Sequence, residues 1–335
     1  MMTDTYKGIW VFAEQRNGKL LDSGPELLGE ARKIADKRGQ ELAAVVMGSN
    51  IAGLADELAA YGADKVYVAD APILKDYLCE AYAPVLEQMI NQYKPEVLVV
   101  GGSNIGMDLA PRVAAKVNTG VAAHAVGLDV DDNGCMKAFV PSFGGSIMAS
   151  ITCAVRRPQM ATIPPGFLKK PEKKAGKKAE VINVEVKVDA AKLRTKVIEV
   201  KTAESTVKSL ESATTVVAGG YGIGSKENWK KLEELADVLG AGVGATRPAC
   251  DEGWAVQDQN MIGQSGKTVH PELYIGVGVS GVIHHLIGIQ DSKKIVAINR
   301  DANAPIMKAA DYAIVADYKE VLPALIAEFK KVKAS

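Results

Sequence analysis

The stretch PELYIGVGVSGVIHHL, residues 271–286, places Gly276, Gly278 and Gly281 in the spacing GxGxxG. Glycines so placed after a strand let a backbone approach a pyrophosphate, and the amides opening the next helix hold its charge. Ser280 adds a hydroxyl within the loop, and His284 and His285 crowd its helix side. Other groups of the second half suit the same ligand: Gly220-Tyr221-Gly222, the pair Thr246-Arg247, the polar loop 258–267, Asn299 and Asp317. A flavin ring gains negative charge at N1 and O2 on reduction, so Arg247, His285 or Ser265 beside it would favour electron acceptance. A nicotinamide dinucleotide calls instead for an acid about 20 residues beyond the glycines, and Asp301 stands at that distance from Gly281. That fingerprint normally opens a domain on its first strand, whereas here two strand-like runs precede it.

The elements that must position these residues are legible as an alternation. Runs 8–13, 41–47, 65–68 and 96–100 are short and β-branched, and between them 25–38, 51–60, 77–93 and 107–117 carry helical spacing of Leu, Ile and Ala. Such alternation means a parallel sheet covered by helices, an α/β fold. From 122 to 155 the texture changes to Gly-broken strand patterns with a hairpin-type turn, Asp131-Asp132-Asn133-Gly134, so the first sheet is expected to be mixed at one edge. A strand-like run, 195–201, and a polar connection, 202–212, lead to a second alternation with strands at 214–218, 242–245, 273–279, 295–298 and 312–316. The ends of those five runs carry the groups named above, and in an open parallel sheet such ends converge on one crevice. The expected architecture is therefore an N-terminal three-layer α/β domain with a mixed sheet, residues 1–204, and a doubly wound parallel-sheet domain, residues 205–335.

Bulk composition narrows the partners. Lys plus Arg number 40 and Asp plus Glu number 40, so no global field draws nucleic acid or an anionic membrane. The lysine-rich segment KKPEKKAGKK, 169–178, reads as a solvated surface loop. Cys79, Cys135, Cys153 and Cys250 lie far apart without a CxxC, which points to reduced thiols rather than a disulfide framework or zinc site. The start runs directly into a strand, and no apolar run approaches about 20 residues, so stable membrane insertion is not expected and a cytoplasm is the expected compartment.

The second half, from about 214 to 325, resembles the FAD-binding half of the electron-transfer flavoprotein alpha subunit family through GATRP, IGQSGK, PELYIGVGVSG, IVAIN and ADYAIVAD. The first half resembles that family's N-terminal domain more loosely, through GIWVFAE, YGADKVY and VRRPQMATI. The resemblance implies Arg247 beside the isoalloxazine with Thr246 next to it, Ser265 at flavin N5 with Gln264 adjacent, and His285 at flavin O2. It further implies Ser280 and Gly281 on the pyrophosphate and Asn299 and Asp317 on the adenosine side. Gly220, Tyr221, Gly222, Ile262, Gly263, Gly266, Val282, Ile283 and His284 complete the implied cofactor-binding set, with no catalytic residue and no metal. Tyr221 departs from the arginine that many members carry in the first glycine loop.

What the resemblance implies is an electron carrier paired with a beta subunit through its N-terminal domain. It would take electrons from an acyl-CoA-type dehydrogenase or another flavoprotein and pass them to an acceptor flavoprotein or a quinone-linked oxidoreductase. Some members bifurcate electrons from NADH with a second flavin in the beta subunit, a point this subunit alone leaves open. Two other readings compete: an NAD-dependent oxidoreductase or transferase using the GVGVSG loop and Asp301, and a non-catalytic adaptor.

Overall fold

The computed structural model describes residues 6–142, 147–200 and 210–334. The chain divides into two compact units, Met1–Lys201 and Thr202–Ser335. The expected boundary at residues 204 and 205 lies outside the described residues.

In the first unit the apolar runs become strands β1 (Ile9–Phe12), β2 (Leu42–Gly48), β3 (Lys65–Asp70) and β4 (Val97–Gly101). Helices α1 (Ser23–Arg38), α2 (Leu54–Ala60), α3 (Cys79–Tyr93) and α4 (Asn104–Lys116) alternate with them. Six further strands follow: β5 (Val121–Ala122), β6 (Gly127–Val130), β7 (Met136–Ser142), β8 (Ile147–Thr152), β9 (Gln159–Ile163) and β10 (Glu180–Asn183). Seven strands pair in the order β10-β3-β2-β1-β4-β9-β5. Side chains alternate across the pleat, so Ile9 and Val11 pack with Leu27, Leu28 and Ile34 on one face, while Trp10 and Phe12 meet Leu86, Met89 and Leu109 on the other. Both faces are covered, which is the three-layer arrangement expected of a continuous apolar parallel sheet.

Two features of this unit differ from expectation. Instead of one mixed sheet, the large sheet is parallel throughout, and the antiparallel strands of 127–152 form a separate three-stranded sheet in the order β8-β7-β6, beside a short antiparallel ladder of Gln15–Arg16 with Lys19–Leu20. The hairpin turn between β6 and β7 is as expected, with Gly134 at φ 78 and the Asp131 carboxylate accepting from the amides of Asn133 at 2.9 Å and Cys135 at 2.8 Å. The second difference is at 195–201: no strand forms over 193–200, and residue 201 lies outside the described residues. The edge beside β3 is taken by β10, in register Glu180 to Lys65, which makes β10 the outermost strand on that side among the described residues.

The lysine-rich segment is tied down more than a solvated loop would be. Lys170 pairs with Asp22 at 2.6 Å, Lys173 with Glu57 at 2.8 Å and Lys177 with Asp64 at 2.9 Å. The ammonium groups of Lys170 and Lys173 each stand 5.1 Å from the centre of the Tyr61 ring. Each exposed pair contributes little to stability, and together they engage three of the segment's six lysines within the unit.

The second unit is built from β11 (Thr215–Gly219), β12 (Gly242–Ala245), β13 (Leu273–Val277), β14 (Ile295–Asn299) and β15 (Tyr312–Val315). Helices α5 (Lys226–Leu239), α6 (Arg247–Asp251), α7 (Gln257–Asn260), α8 (Ile283–Leu286), α9 (Pro305–Ala309) and α10 (Tyr318–Ala334) connect and cover them. The Ser225 hydroxyl caps α5 by accepting from the Asn228 amide at 3.3 Å, and Gly240 ends it in the left-handed conformation. On one face Trp229, Leu232 and Leu235 of α5 and Leu322 and Ile326 of α10 pack on Val217, Ile275 and Val277. On the other, Ile262, Val269, Ala304 and Ile306 pack on Val216, Ala218, Tyr274 and Ile295.

All neighbouring strands of this sheet are parallel, in the order β12-β11-β13-β14-β15. After β11 the chain first places β12 on one side and then crosses to place β13 on the other. That reversal opens a crevice over the carboxyl ends of β11 and β13, where an open α/β sheet takes its ligands.

Candidate functional site

The crevice begins with two glycine turns in backbone contact. Past β11, the Gly220 amide donates to the Val277 carbonyl at 2.9 Å and the Gly222 amide to the Gly278 carbonyl at 3.0 Å. A Cβ on Gly220 would stand 2.2 Å from the Gly278 oxygen, and one on Gly222 would stand 2.7 Å from the same atom. Gly278 itself has φ +60, a conformation that disfavours a side chain. No side chain fits between the turns, so their outer surfaces stay low and a ligand backbone can lie across them.

Along this floor and its walls runs a cavity of about 720 Å³, within the size range of small-molecule and cofactor sites. Of the sequence-derived candidates, Tyr221, Gly222, Thr246, Arg247, Ile262, Gly263, Gln264, Ser265, Ser280, Val282, His284, His285 and Asn299 line it. Pro248, Met261, Gly278, Asp301 and Ala304 line it too and were not in the cofactor set. Gly220, Gly266, Gly281, Ile283 and Asp317 are not among the lining residues.

Four of those five have a structural task. Gly220 supports the floor as described. A Cβ on Gly266 would stand 2.4 Å from the Met261 carbonyl oxygen, so glycine there closes the tight loop after α7. Gly281 would place a Cβ 2.4 Å from the Ile306 amide nitrogen, so glycine there serves packing of the loop on α9. Asp317 accepts from the Lys319 amide at 2.9 Å and opens α10, and Ile283 is an exposed apolar residue of α8. Gly276 also packs toward Ile306, which leaves Gly278 as the one glycine of the GxGxxG spacing that lines the crevice.

The polar groups of the walls divide into those already used and those left over. Asn299 donates from its amide to the Val279 carbonyl at 2.8 Å and accepts from the Asp301 amide at 3.0 Å, bracing the loops after β13 and β14. Thr246 is 7% exposed, and its hydroxyl oxygen is buried without a hydrogen-bond partner. An orphaned buried hydroxyl is costly unless a ligand satisfies it. Arg247, at the first position of α6, is 69% exposed on its side chain and holds Asp251 only at 3.7 Å. It is the sole Lys or Arg among the lining residues. Tyr221 is 61% exposed and lies parallel to Trp254, with ring centres 5.8 Å apart and planes within 16°.

His285 differs from the cationic role considered for it. Its ring is 4% exposed; Nδ1 lies 3.1 Å from the Ile262 carbonyl and Nε2 2.8 Å from the Tyr274 hydroxyl. A carbonyl only accepts, so Nδ1 carries the proton and Nε2 accepts from the tyrosine. Burial pushes the imidazole down to about 4, against a smaller opposing effect of the Ile262 carbonyl. His285 is therefore a neutral wall of the crevice at pH 7, and Arg247 supplies the fixed positive charge.

These features suit a dinucleotide: a glycine floor that a Cβ would fill, an unsatisfied buried hydroxyl and one exposed, loosely paired cation, spread over the ends of the parallel strands. Thr246, Arg247, Gln264, Ser265 and Ser280 are the lining side chains whose polar groups could hold one.

The buried neutral imidazole also makes stability depend on pH. The folded state resists the proton until pH about 4, whereas the unfolded chain accepts it near pH 6.5. Stability is thus fully present above 6.5 and falls as pH drops toward 4, by about 3 kcal/mol for a shift of this size. His270, lowered in the same direction by burial, adds to the slope. A His285→Asn protein should show a distinctly shallower loss between pH 6.5 and 4 in denaturant titrations; an unchanged slope would mean that His285 is solvated.

Comparison with known proteins agrees with this architecture. Residues 9–189 match the family described as electron transfer flavoprotein domain, and residues 209–290 match the electron transfer flavoprotein FAD-binding domain. The chain is 47% identical over 328 residues to an electron transfer flavoprotein subunit alpha of Thermoanaerobacterium thermosaccharolyticum, covering 98% of this chain and 99% of that one. It is 49% identical to a protein FixB of Clostridium saccharobutylicum, covering 98% and 97%. It is also 40% identical to an acryloyl-CoA reductase electron transfer subunit beta of Anaerotignum propionicum, covering 98% and 97%. Through both of its units, and over nearly its whole length, this chain belongs to the electron transfer flavoprotein alpha subunit family.

Proposed function

We propose that this chain holds one FAD in the crevice of its second unit and acts, with a beta subunit, as a cytoplasmic electron carrier between a dehydrogenase and an acceptor flavoprotein. The observation that carries this reading is the buried, unpartnered Thr246 hydroxyl beside exposed Arg247 at the mouth of a crevice formed by parallel strand ends. The four cysteines are free, and among the described residues no helix is long and apolar enough to cross a membrane. The relative named for acryloyl-CoA reductase supports an acyl-CoA-type enzyme as redox partner.

When bound, FAD would supply the ring that accepts and gives up electrons; the protein's task is to set how favourable that is. Arg247 brings a fixed positive charge to the wall, and its weak tie to Asp251 leaves it free to turn toward a developing negative charge. Neutral His285 excludes water and holds the Ile262 carbonyl, which braces the loop carrying Gln264 and Ser265. Ser265 and Ser280 contribute hydroxyls, and the glycine floor admits the phosphate end without a competing side chain.

We place the partner face on the first unit. Strand β8 is at an edge of its small sheet, and Ile147, Met148 and Ile151 on it are exposed, on both faces of the pleat. A clustered exposed apolar edge marks an association surface, and we assign it to the beta subunit. The double substitution Ile147→Glu with Ile151→Glu should weaken subunit pairing at least about tenfold, as expected for lost interface anchors, without changing the melting of the chain alone. Pairing at parental strength would place the interface elsewhere.

The cofactor assignment is checked on the co-expressed pair by absorbance and flavin counting, followed by a spectroscopic redox titration. The alpha subunit's crevice should account for one FAD, and Arg247→Ala should lower the midpoint potential by tens of millivolts, from about 1–3 kcal/mol of lost charge stabilisation. His285→Asn should lower it less, because no charge is removed. Parental potentials in the Arg247 variant, with flavin retained, would show that Arg247 does not adjoin the ring.

A further inference from the structure

The rim of the crevice contains a pairing that neither the sequence patterns nor the site's known neighbours account for. Gln264 is tied to His284 twice. Its backbone amide donates to the His284 carbonyl at 2.7 Å, and its side-chain carbonyl oxygen lies 2.6 Å from His284 Nδ1. The backbone approach is close enough that a Cβ on the preceding Gly263 would stand 2.5 Å from the His284 oxygen. Loop and helix are therefore fixed to one another, and the side-chain contact has a defined sense.

A carboxamide has one accepting end and one donating end, and the oxygen can only accept. Nδ1 of His284 therefore carries a proton, and it holds the Gln264 oxygen. The NH2 end is left as the donor on this rim and meets no acceptor among the described residues. Both side chains line the cavity.

We propose that His284 is a positioning residue: it locks the Gln264 carboxamide in the orientation that presents its NH2 group, not its oxygen, to a carbonyl oxygen of the flavin ring. This rests on the FAD reading of the crevice. An N–H aimed at a ring carbonyl is stabilising toward the oxidised ring and more so toward the reduced ring, whose oxygens carry more negative charge. The flipped amide would point an oxygen at the same atom and act in the opposite sense. His284 acts through Gln264, so its substitution and that of Gln264 must act on one quantity.

The test uses the co-expressed heterodimer, reconstituted with FAD, in five forms: parent, His284→Leu, His284→Gln, Gln264→Leu, and the double His284→Leu with Gln264→Leu. FAD affinity of the oxidised protein is measured first and reports on the crevice itself; a parent that binds no FAD in this unit contradicts the site, independently of the variants. The midpoint potential then reports on His284. The ratio of reduced to oxidised FAD affinity should fall roughly 3- to 10-fold in His284→Leu, the scale of one hydrogen bond. His284→Gln, which retains a donor, should restore it. The double variant should go no further than Gln264→Leu alone, the signature of two residues acting as a unit. Should His284→Leu fail to fold, Gln264→Glu decides the point: its carboxylate can only accept and must lower the ratio beyond Gln264→Leu. Parental potentials in His284→Leu, effects that add in the double, or a Gln264→Glu potential no lower than that of Gln264→Leu would each overturn the proposal.

Discussion

The second unit depends on one close approach: the Gly222 amide meeting the Gly278 carbonyl at 3.0 Å across the gap between the turns after β11 and β13. Those strands are neighbours, and the chain reverses its winding direction between them. A side chain on either turn would force the loops apart or fill the space above the sheet. With glycines there, the crevice floor is bare backbone, and the walls rise from the loops after β12, β13 and β14. Every other feature of the site is placed relative to that floor.

The chemistry of the walls follows from how little charge they carry. His285 is buried and neutral because its two ring nitrogens are taken by a carbonyl and a tyrosine hydroxyl, the latter itself pushed upward by burial. Asn299 spends its amide on neighbouring loops. What remains for a ligand includes the Thr246 hydroxyl, buried without a partner, the Ser265 and Ser280 hydroxyls, an arginine that is loosely held, and an amide fixed in one sense by His284. In a partly dry site a few such groups weigh heavily, because the same hydrogen bond or charge is worth more where water is excluded. An electron carrier needs this kind of environment rather than a nucleophile or an acid/base pair.

Much of this was legible in the sequence because periodicity reports burial. The runs IWVF, LAAVVMG and VLVVG are apolar throughout and became strands covered on both faces, and the strand ends in the second half carried the groups that converge. Pairing partners are not encoded in periodicity. The antiparallel segments form a sheet of their own, EVIN at 180–183 pairs with β3 beside its lysine-rich neighbour, and the alternation at 195–200 forms no strand. The glycine spacing also answers to packing: a Cβ on Gly276 or Gly281 would meet Ile306 of α9, more than 20 residues away in sequence from either. Whether a histidine is charged depends on what surrounds it, and Tyr274 and Ile262 could be known to flank His285 only from the fold. The roles of Asn299 and Asp317 in bracing loops and opening α10 likewise depend on backbone neighbours that residue type does not reveal.

The central claim is that the ligand lies over the glycine floor and along the strand ends of the second unit. Amide hydrogen exchange of the heterodimer, compared with and without FAD, tests it directly because exchange reads each loop separately. The account predicts slowed exchange in residues 219–224, 261–267 and 278–285, with the sheet of the first unit unchanged. Protection confined to the first unit, or absent from the turn at 219–224, would contradict it.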